Sequence, residues 1–279
     1  MTVLRRHLVL LILISLGLIV PGLSYGSVII ADSVQVTDVT TVQFSVVWGA
    51  IEPATGTVKV FADSDGTVPV TEALVTPESS NFPPAEDLGV MKVRVVNLKP
   101  DTQYYCQIQT TSKNSGIVTS YPETPPYIGV RTEHTSGIVS NDVLAQEISI
   151  GNGKSTQGTL VIAKVDQASY PLTGWAGDGV PDGWIAIDMN NFYDKDTRTN
   201  LELVGGEPIF LTYFGGALGS VETNDTVPAE TGGIQQVSVK ASLPASGSGG
   251  DSSSTSDSSG GGGGGACFIA TAADGLFGF

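Results

Sequence analysis

The stretch GDGVPDGWIAIDMNNFYDKDTRTN holds the densest set of groups with ligand chemistry in this chain. Asp178, Asp182, Asp188, Asn190, Asn191, Asp194 and Asp196 offer only oxygen donors, the kind calcium prefers. An EF-hand loop starting at Asp188 would place a ligand at its fifth position and glutamate at its twelfth, where the chain has Phe192 and Thr199. Aspartate, asparagine and glycine also make ordinary turns. Two readings therefore stand, a structural calcium site or a set of turns, and no other cofactor is expected. The aromatic residues of the same region, Trp175, Trp184, Phe192, Tyr193, Phe210, Tyr213 and Phe214, line sugar or peptide sites when exposed and form a core when buried. In GWIAIDM the alternation sets Trp184, Ala186 and Asp188 on one face and Ile185 and Ile187 on the other, which makes Trp175 and Trp184 the candidate ligand contacts.

Nucleophilic chemistry has little to draw on. The cysteines are Cys106, in an alternating strand pattern, and Cys267, which follows a run of glycines near the C-terminus. Cys106 reads as a small buried hydrophobe. Cys267 reads as an exposed thiol open to oxidation, disulfide exchange or processing. Of the two histidines, His7 sits in a leader segment and His134 in RTEHTSGIVSN, a polar stretch that reads as a link between domains. A Ser or Cys triad or a histidine-rich zinc site needs imidazole in a cleft. Carboxylate-only glycoside chemistry needs two opposed carboxyl groups, and no spacing here singles out such a pair. The chain reads as noncatalytic.

The elements that would carry these groups are strands. In TVQFSVVW the alternation puts Val42, Phe44, Val46 and Trp48 on one face, TGTVKVFA repeats it with Val58 and Val60, and VMKVRVV continues it with Met91, Val93 and Val95. NLKPDTQYYCQIQ follows, with Leu98, Pro100, Thr102, Tyr104, Cys106 and Ile108 at every second position. Residues 27–134 thereby resemble a fibronectin type III domain: Trp48 matches that family's core tryptophan, and Leu98, Pro100, Thr102 and Tyr104 match its L-x-P-x-T-x-Y corner. The resemblance implies a β-sandwich in which these five residues are structural. Independently of the name, a tyrosine at a strand entrance buries its ring while its hydroxyl bonds backbone at the neighbouring turn. Tyr105 faces the other way. Residues 138–243 give a second set of strands, VLAQEISI, GTLVIAKV, GWIAIDM, TNLELVG, PIFLTYFG and GGIQQVSVKA, and hence a second β-sandwich of no named family. The expected fold is all-β, two sandwiches in tandem.

The ends of the chain concern location. Arg5 and Arg6 precede an apolar run from Leu8 to Val20, too short to span a bilayer, with Ser24 and Gly26 placed for cleavage, so residues 1–26 read as a signal peptide. Residues 244–266 are nearly all Ser, Gly, Asp and Thr, which reads as a disordered tether with a reach of about 25–30 Å. Cys267 to Ala273, CFIATAA, resemble the CFI-box C-terminal segment of bacterial exported proteins, truncated here at Phe279. That resemblance implies a recognition or processing signal. With 13 basic against 28 acidic residues and a net charge of −15, the chain repels phosphate backbones, so nucleic acid is not an expected partner. The expected partner is a protein or extracellular polymer at the cell surface, with membrane association only through a processed or modified Cys267. The leading expectation is a noncatalytic exported scaffold. The alternatives are a secreted accessory module for polysaccharide and a noncatalytic part of an extracellular enzyme system.

Overall fold

The computed structural model describes residues 28–137, 139, 141, 143–150, 157–181, 183–216, 219–227 and 234–243. The proposed signal peptide, tether and CFI-box-like segment, with Cys267 and also Asp182, lie outside the described residues. Both strand regions fall inside one compact unit bounded at Ser246.

Eight strands build the first sandwich: β1 (Ile29–Thr37), β2 (Gln43–Ala50), β3 (Ala54–Phe61), β4 (Leu74–Pro77), β5 (Val90–Val96), β6 (Gln103–Ser112), β7 (Val118–Tyr121) and β8 (Ile128–Arg131). Sheet I has the order β1-β2-β5-β4, and sheet II has β3-β6-β7 with β8 also paired to β6. Counting β7 and β8 as two pieces of one strand, this is the four-plus-three division of an immunoglobulin constant-type sandwich. A short helix α1 (Pro83–Asp87) precedes β5. Alternation explains the core: Phe44, Val46, Trp48, Val58, Val60, Met91, Val93, Val95, Cys106 and Ile108 meet between the sheets. Val42 does not join them. It precedes β2 and is 47% exposed, because the chain is still turning when it passes that position. Trp48 is fully buried; its indole N–H donates to Thr110 Oγ1 at 2.8 Å, and its ring lies so close to Gly56 that a Cβ there would collide with it. The Tyr104 hydroxyl accepts from the Lys99 amide at 2.9 Å, and Thr102 Oγ1 donates to the Pro100 carbonyl at 2.8 Å, so the corner closes as its residues foretold.

The second sandwich comprises β9 (Val143–Ile150), β10 (Leu160–Lys164), β11 (Leu172–Trp175), β12 (Trp184–Asp188), β13 (Pro208–Phe214), β14 (Ser220–Thr226) and β15 (Ile234–Leu243). Sheet III has the order β11-β10-β13-β14 and sheet IV β12-β9-β15, where β15 runs parallel to β9. Between them pack Leu144, Val161, Ala163, Ile185, Ile187, Phe192, Ile209, Leu211 and Tyr213. TNLELVG is not a strand. Apart from a bridge between Asn200 and Tyr193, it runs as a loop whose Leu203 still reaches the core, so its apolar residues are used without a ladder.

Sheet I is covered on both sides. The partners Ser45 and Arg94, and Val47 and Lys92, lie on the face turned away from the first core. On the other side of the joint, Leu160, Ile162, Thr173 and Trp175 occupy the equivalent face of sheet III. Val47, Ala85, Val90, Leu160, Ile162 and Trp175 form a third apolar cluster between these faces, with Phe82, Leu88 and Phe214 against it.

Candidate functional site

Two knots of charged side chains and one stacked aromatic pair join the sandwiches where they meet. Strand β5 brings Lys92 and Arg94 to the joint, and a 3-10 turn at Glu78–Asn81 brings Glu78. Lys92 Nζ pairs with Asp38 Oδ2 at 3.2 Å and with Glu78 Oε2 at 2.9 Å, and Arg94 Nε reaches Glu78 Oε1 at 3.0 Å. Burial pulls the Lys92 ammonium down, but the carboxylates of Asp38 and Glu78 outweigh it and hold its pKa above the ordinary lysine value. Asp38 is also the tie to the second sandwich. Its carboxylate accepts from the Thr173 amide at 2.8 Å and from Thr173 Oγ1 at 2.5 Å, while its own amide donates to the Pro171 carbonyl at 2.9 Å. Its φ of 51° is tolerable for aspartate, which bonds locally in the left-handed region.

A second charged knot involves the stretch expected to be a link. Thr132 and Glu133 are fully buried there. From the second sandwich Arg198 pairs with Asp101 Oδ1 at 2.6 Å and Glu133 Oε2 at 3.3 Å, and its Nη2 donates to the Thr132 carbonyl. Arg131 also pairs with Asp101, at 3.0 Å. The hydrogen bond from Arg198 does most to hold the Asp101 carboxyl below its usual range. Glu133 moves the other way: burial outweighs the Ser169 hydroxyl and the Arg198 guanidinium and raises it. His134 stands at the rim, 3.5 Å from Asp101 and 62% exposed.

Beside the Lys92 cluster the sheets do not meet fully. A cavity of about 210 Å³ is lined by Asp38, Ser45, Glu78, Lys92, Thr173 and Asp188, among others. Another, of about 380 Å³, is lined by Glu78, Phe82, Lys92, Arg94, Trp175 and Asp178, among others. They share Glu78, Lys92, Arg94, Thr173 and Ala186 and so form one cleft.

The oxygen-rich stretch is spent mainly on turns. Asp188 Oδ1 accepts from the Asn190 amide at 3.0 Å and from Asn190 Nδ2 at 2.8 Å, capping the 3-10 turn Met189–Asn191, and Asn191 Nδ2 stands 3.5 Å from Asp188 Oδ2. Asp194 Oδ1 accepts from the amides of Asp196 and Thr197 at 3.0 and 2.7 Å, and the latter bond chiefly lowers its pKa. Asp178 and Asp196 are exposed. No group of three or more His, Cys, Asp or Glu side chains suited to a metal occurs among the described residues. Trp175, expected as a ligand contact, is 3% exposed and stacks on Phe82 with ring centroids 5.0 Å apart, so its ring face is used by the joint. Trp184 is half-buried, with Ile185 and Ile187 in the core on the opposite face as the alternation required. Cys106 is buried, and desolvation pushes its thiol up to about 12, which makes it inert. Asp38, Glu78, Lys92, Arg94, Asp101, Glu133 and Arg198 were not legible as site residues. The available signal was a charged pair, Lys92 and Arg94, alternating with valines in a strand, and that pattern is indistinguishable from a solvated face.

No family model matches this chain, and no curated protein matches it. Among solved structures, that of PhoD is similar at 12% identity with a TM-score of 0.29 over 46% of this chain, which spans 23% of that one. A chimeric titin Z1Z2 carrying a KLER exogenous peptide from decorin is similar at 8% identity with a TM-score of 0.19, over 71% of this chain and 92% of that one. Likenesses this low carry neither fold nor function across.

Proposed function

We propose that this chain is a noncatalytic exported scaffold of the cell surface or envelope, in which two sandwiches act as one binding or spacer body. The observation that supports this most is the use of charge at the joint. Lys92, Asp38 and Glu78 neutralise one another between the sandwiches, and Arg198 is held by Asp101 and Glu133. Groups so paired fix geometry and are not poised to attack or to move protons. The leader-like residues 1–26 support export, and the resemblances to fibronectin type III and CFI-box segments support a surface location with Cys267 as the point of processing. Two measurements test the reading. Fractionation of cells should place the protein in envelope or medium with residues 1–26 removed. The purified protein should show no turnover on phosphoester, glycoside and peptide substrates; retention in the cytoplasm or measurable turnover overturns it.

A further inference from the structure

Three groups with complementary reactivity meet on the outer face of sheet I. Lys92 Nζ lies 3.2 Å from Asp38 Oδ2 and 2.9 Å from Glu78 Oε2, and the three side chains are only 9%, 15% and 15% exposed. An amine and two carboxyl groups held together away from bulk water supply the two partners of an amide bond and a carrier for the protons that its formation moves. Free in water, such ions stay apart as ions. Fixed positioning raises the effective concentration of one group at another to as much as ~10⁵–10⁸ M.

We propose that the chain cross-links itself here, forming an isopeptide bond between Lys92 Nζ and Asp38 Cγ with Glu78 as proton carrier. The surroundings of the two carboxyl groups decide which of them is attacked. The Thr173 amide donates to Asp38 Oδ1 at 2.8 Å, where negative charge collects as Cγ is attacked, and Thr173 Oγ1 donates at 2.5 Å to Oδ2, the oxygen that leaves. On Glu78 the Arg94 guanidinium takes Oε1, at 3.0 Å, and leaves Oε2 to the amine. The Lys92 proton passes to Asp38 Oδ2, and the neutral amine attacks Cγ, forming the Nζ–Cγ bond. Glu78 then carries a second proton from Nζ to Oδ2, the Cγ–Oδ2 bond breaks, and water departs. Nothing is oxidised or reduced, and Glu78 ends as it began. The cavity of about 210 Å³ lined by all three residues receives the water. While the three remain paired as ions they do not react, because the carboxylates hold Lys92 as its ammonium. The neutral amine is therefore scarce and closure slow, but each molecule needs it only once.

The bond acts on no outside substrate and stands apart from the export and scaffold reading: turnover or a cytoplasmic location would remove that reading and leave the bond, and an unbonded Lys92 would do the reverse. The test is mass spectrometry of the purified whole chain, fresh and after prolonged incubation at neutral pH, followed by proteolysis and fragmentation of the peptides. The expected result is a protein lighter by one water and a branched peptide that joins the segments of Lys92 and Asp38. Lys92→Arg keeps the cation and should keep the full mass, and Glu78→Gln should slow closure about a hundred-fold or more. The closed form should melt about 10 °C above Lys92→Arg, since the bond ties positions 38 and 92 together in the unfolded chain as well. An Asp-Gly pair such as Asp65 and Gly66 also loses water, by forming a succinimide, but it does so equally in Lys92→Arg and gives no branched peptide. Full mass after incubation, a water loss equal in the parent and Lys92→Arg, or a branched peptide that joins Lys92 to Glu78 overturns the proposal.

Discussion

At the scale of single residues, the joint is an exercise in what a buried charge needs. Lys92 would be costly between two sheets on its own, and it is tolerated because Asp38 and Glu78 face it. Lys92→Met keeps the length of the side chain and removes the ammonium, leaving two carboxylates close together at about 15% exposure. Breaking such a pair should cost about 3 kcal/mol at neutral pH, read as a lower denaturation midpoint at unchanged m-value. In the parent protein the raised Lys92 value works at the alkaline end of the pH scale. Its contribution is complete below the unfolded-state value near 10.4 and disappears only as pH rises through the higher folded value. Glu133 has the opposite consequence. Its folded value lies above the unfolded one, so the folded chain holds that proton more tightly, and stability falls as pH rises from about 4.3 through the folded value. Glu133→Gln removes that dependence. The melting temperature of the variant relative to the parent should therefore climb between mildly acid and neutral pH, and a difference that stays flat or declines over that range contradicts the assignment.

At the scale of elements, strand identity was legible and the second face of the strands was not. QFSVVWGA and VMKVRVV gave their inner faces through Phe44, Val46, Trp48, Met91, Val93 and Val95, because burial on one side leaves a period of two. The outer faces carry Ser45, Val47, Lys92 and Arg94, a mixture that resembles a solvated surface although Ser45, Val47 and Lys92 are buried and only Arg94 is exposed. Nothing in a strand says what packs on its polar side. The tyrosine corner was legible because its chemistry is local: Tyr104 reaches the amide of Lys99, five residues away. The tie from Asp38 to Thr173 spans 135 positions and has no local signature. The close approach of the sandwiches also shows at Gly216, which follows β13. Its φ is +55°, and a Cβ there would overlap the carbonyl of Leu88 in the first sandwich. Gly216→Ala combines left-handed strain with overlap against backbone that cannot swing aside, so a loss on the order of 3 kcal/mol is expected from urea denaturation. An unchanged midpoint would mean that the two sandwiches do not pack at this point.

At the scale of the whole described unit, three apolar layers alternate with four sheets: one inside each sandwich and one between them. The sequence pointed to two cores because each sandwich has its own alternating strands. The third layer drew on residues from both, and neither half displays it alone. This arrangement bears on how the protein unfolds. Tandem sandwiches on a solvated link would melt independently, whereas a shared apolar layer flanked by the Lys92 and Arg198 knots couples them, so loss of one exposes the face of the other. A single calorimetric transition with equal van't Hoff and calorimetric enthalpies is expected for the parent chain. Leu160→Ala is the discriminating variant. Leu160 is fully buried in the middle layer and lies outside both inner cores, so its truncation, at ~2–5 kcal/mol, weakens the coupling without emptying either sandwich. The variant should divide the transition in two, with the inner cores still cooperative. Two transitions already present in the parent would show that the joint is too weak to make the sandwiches one body.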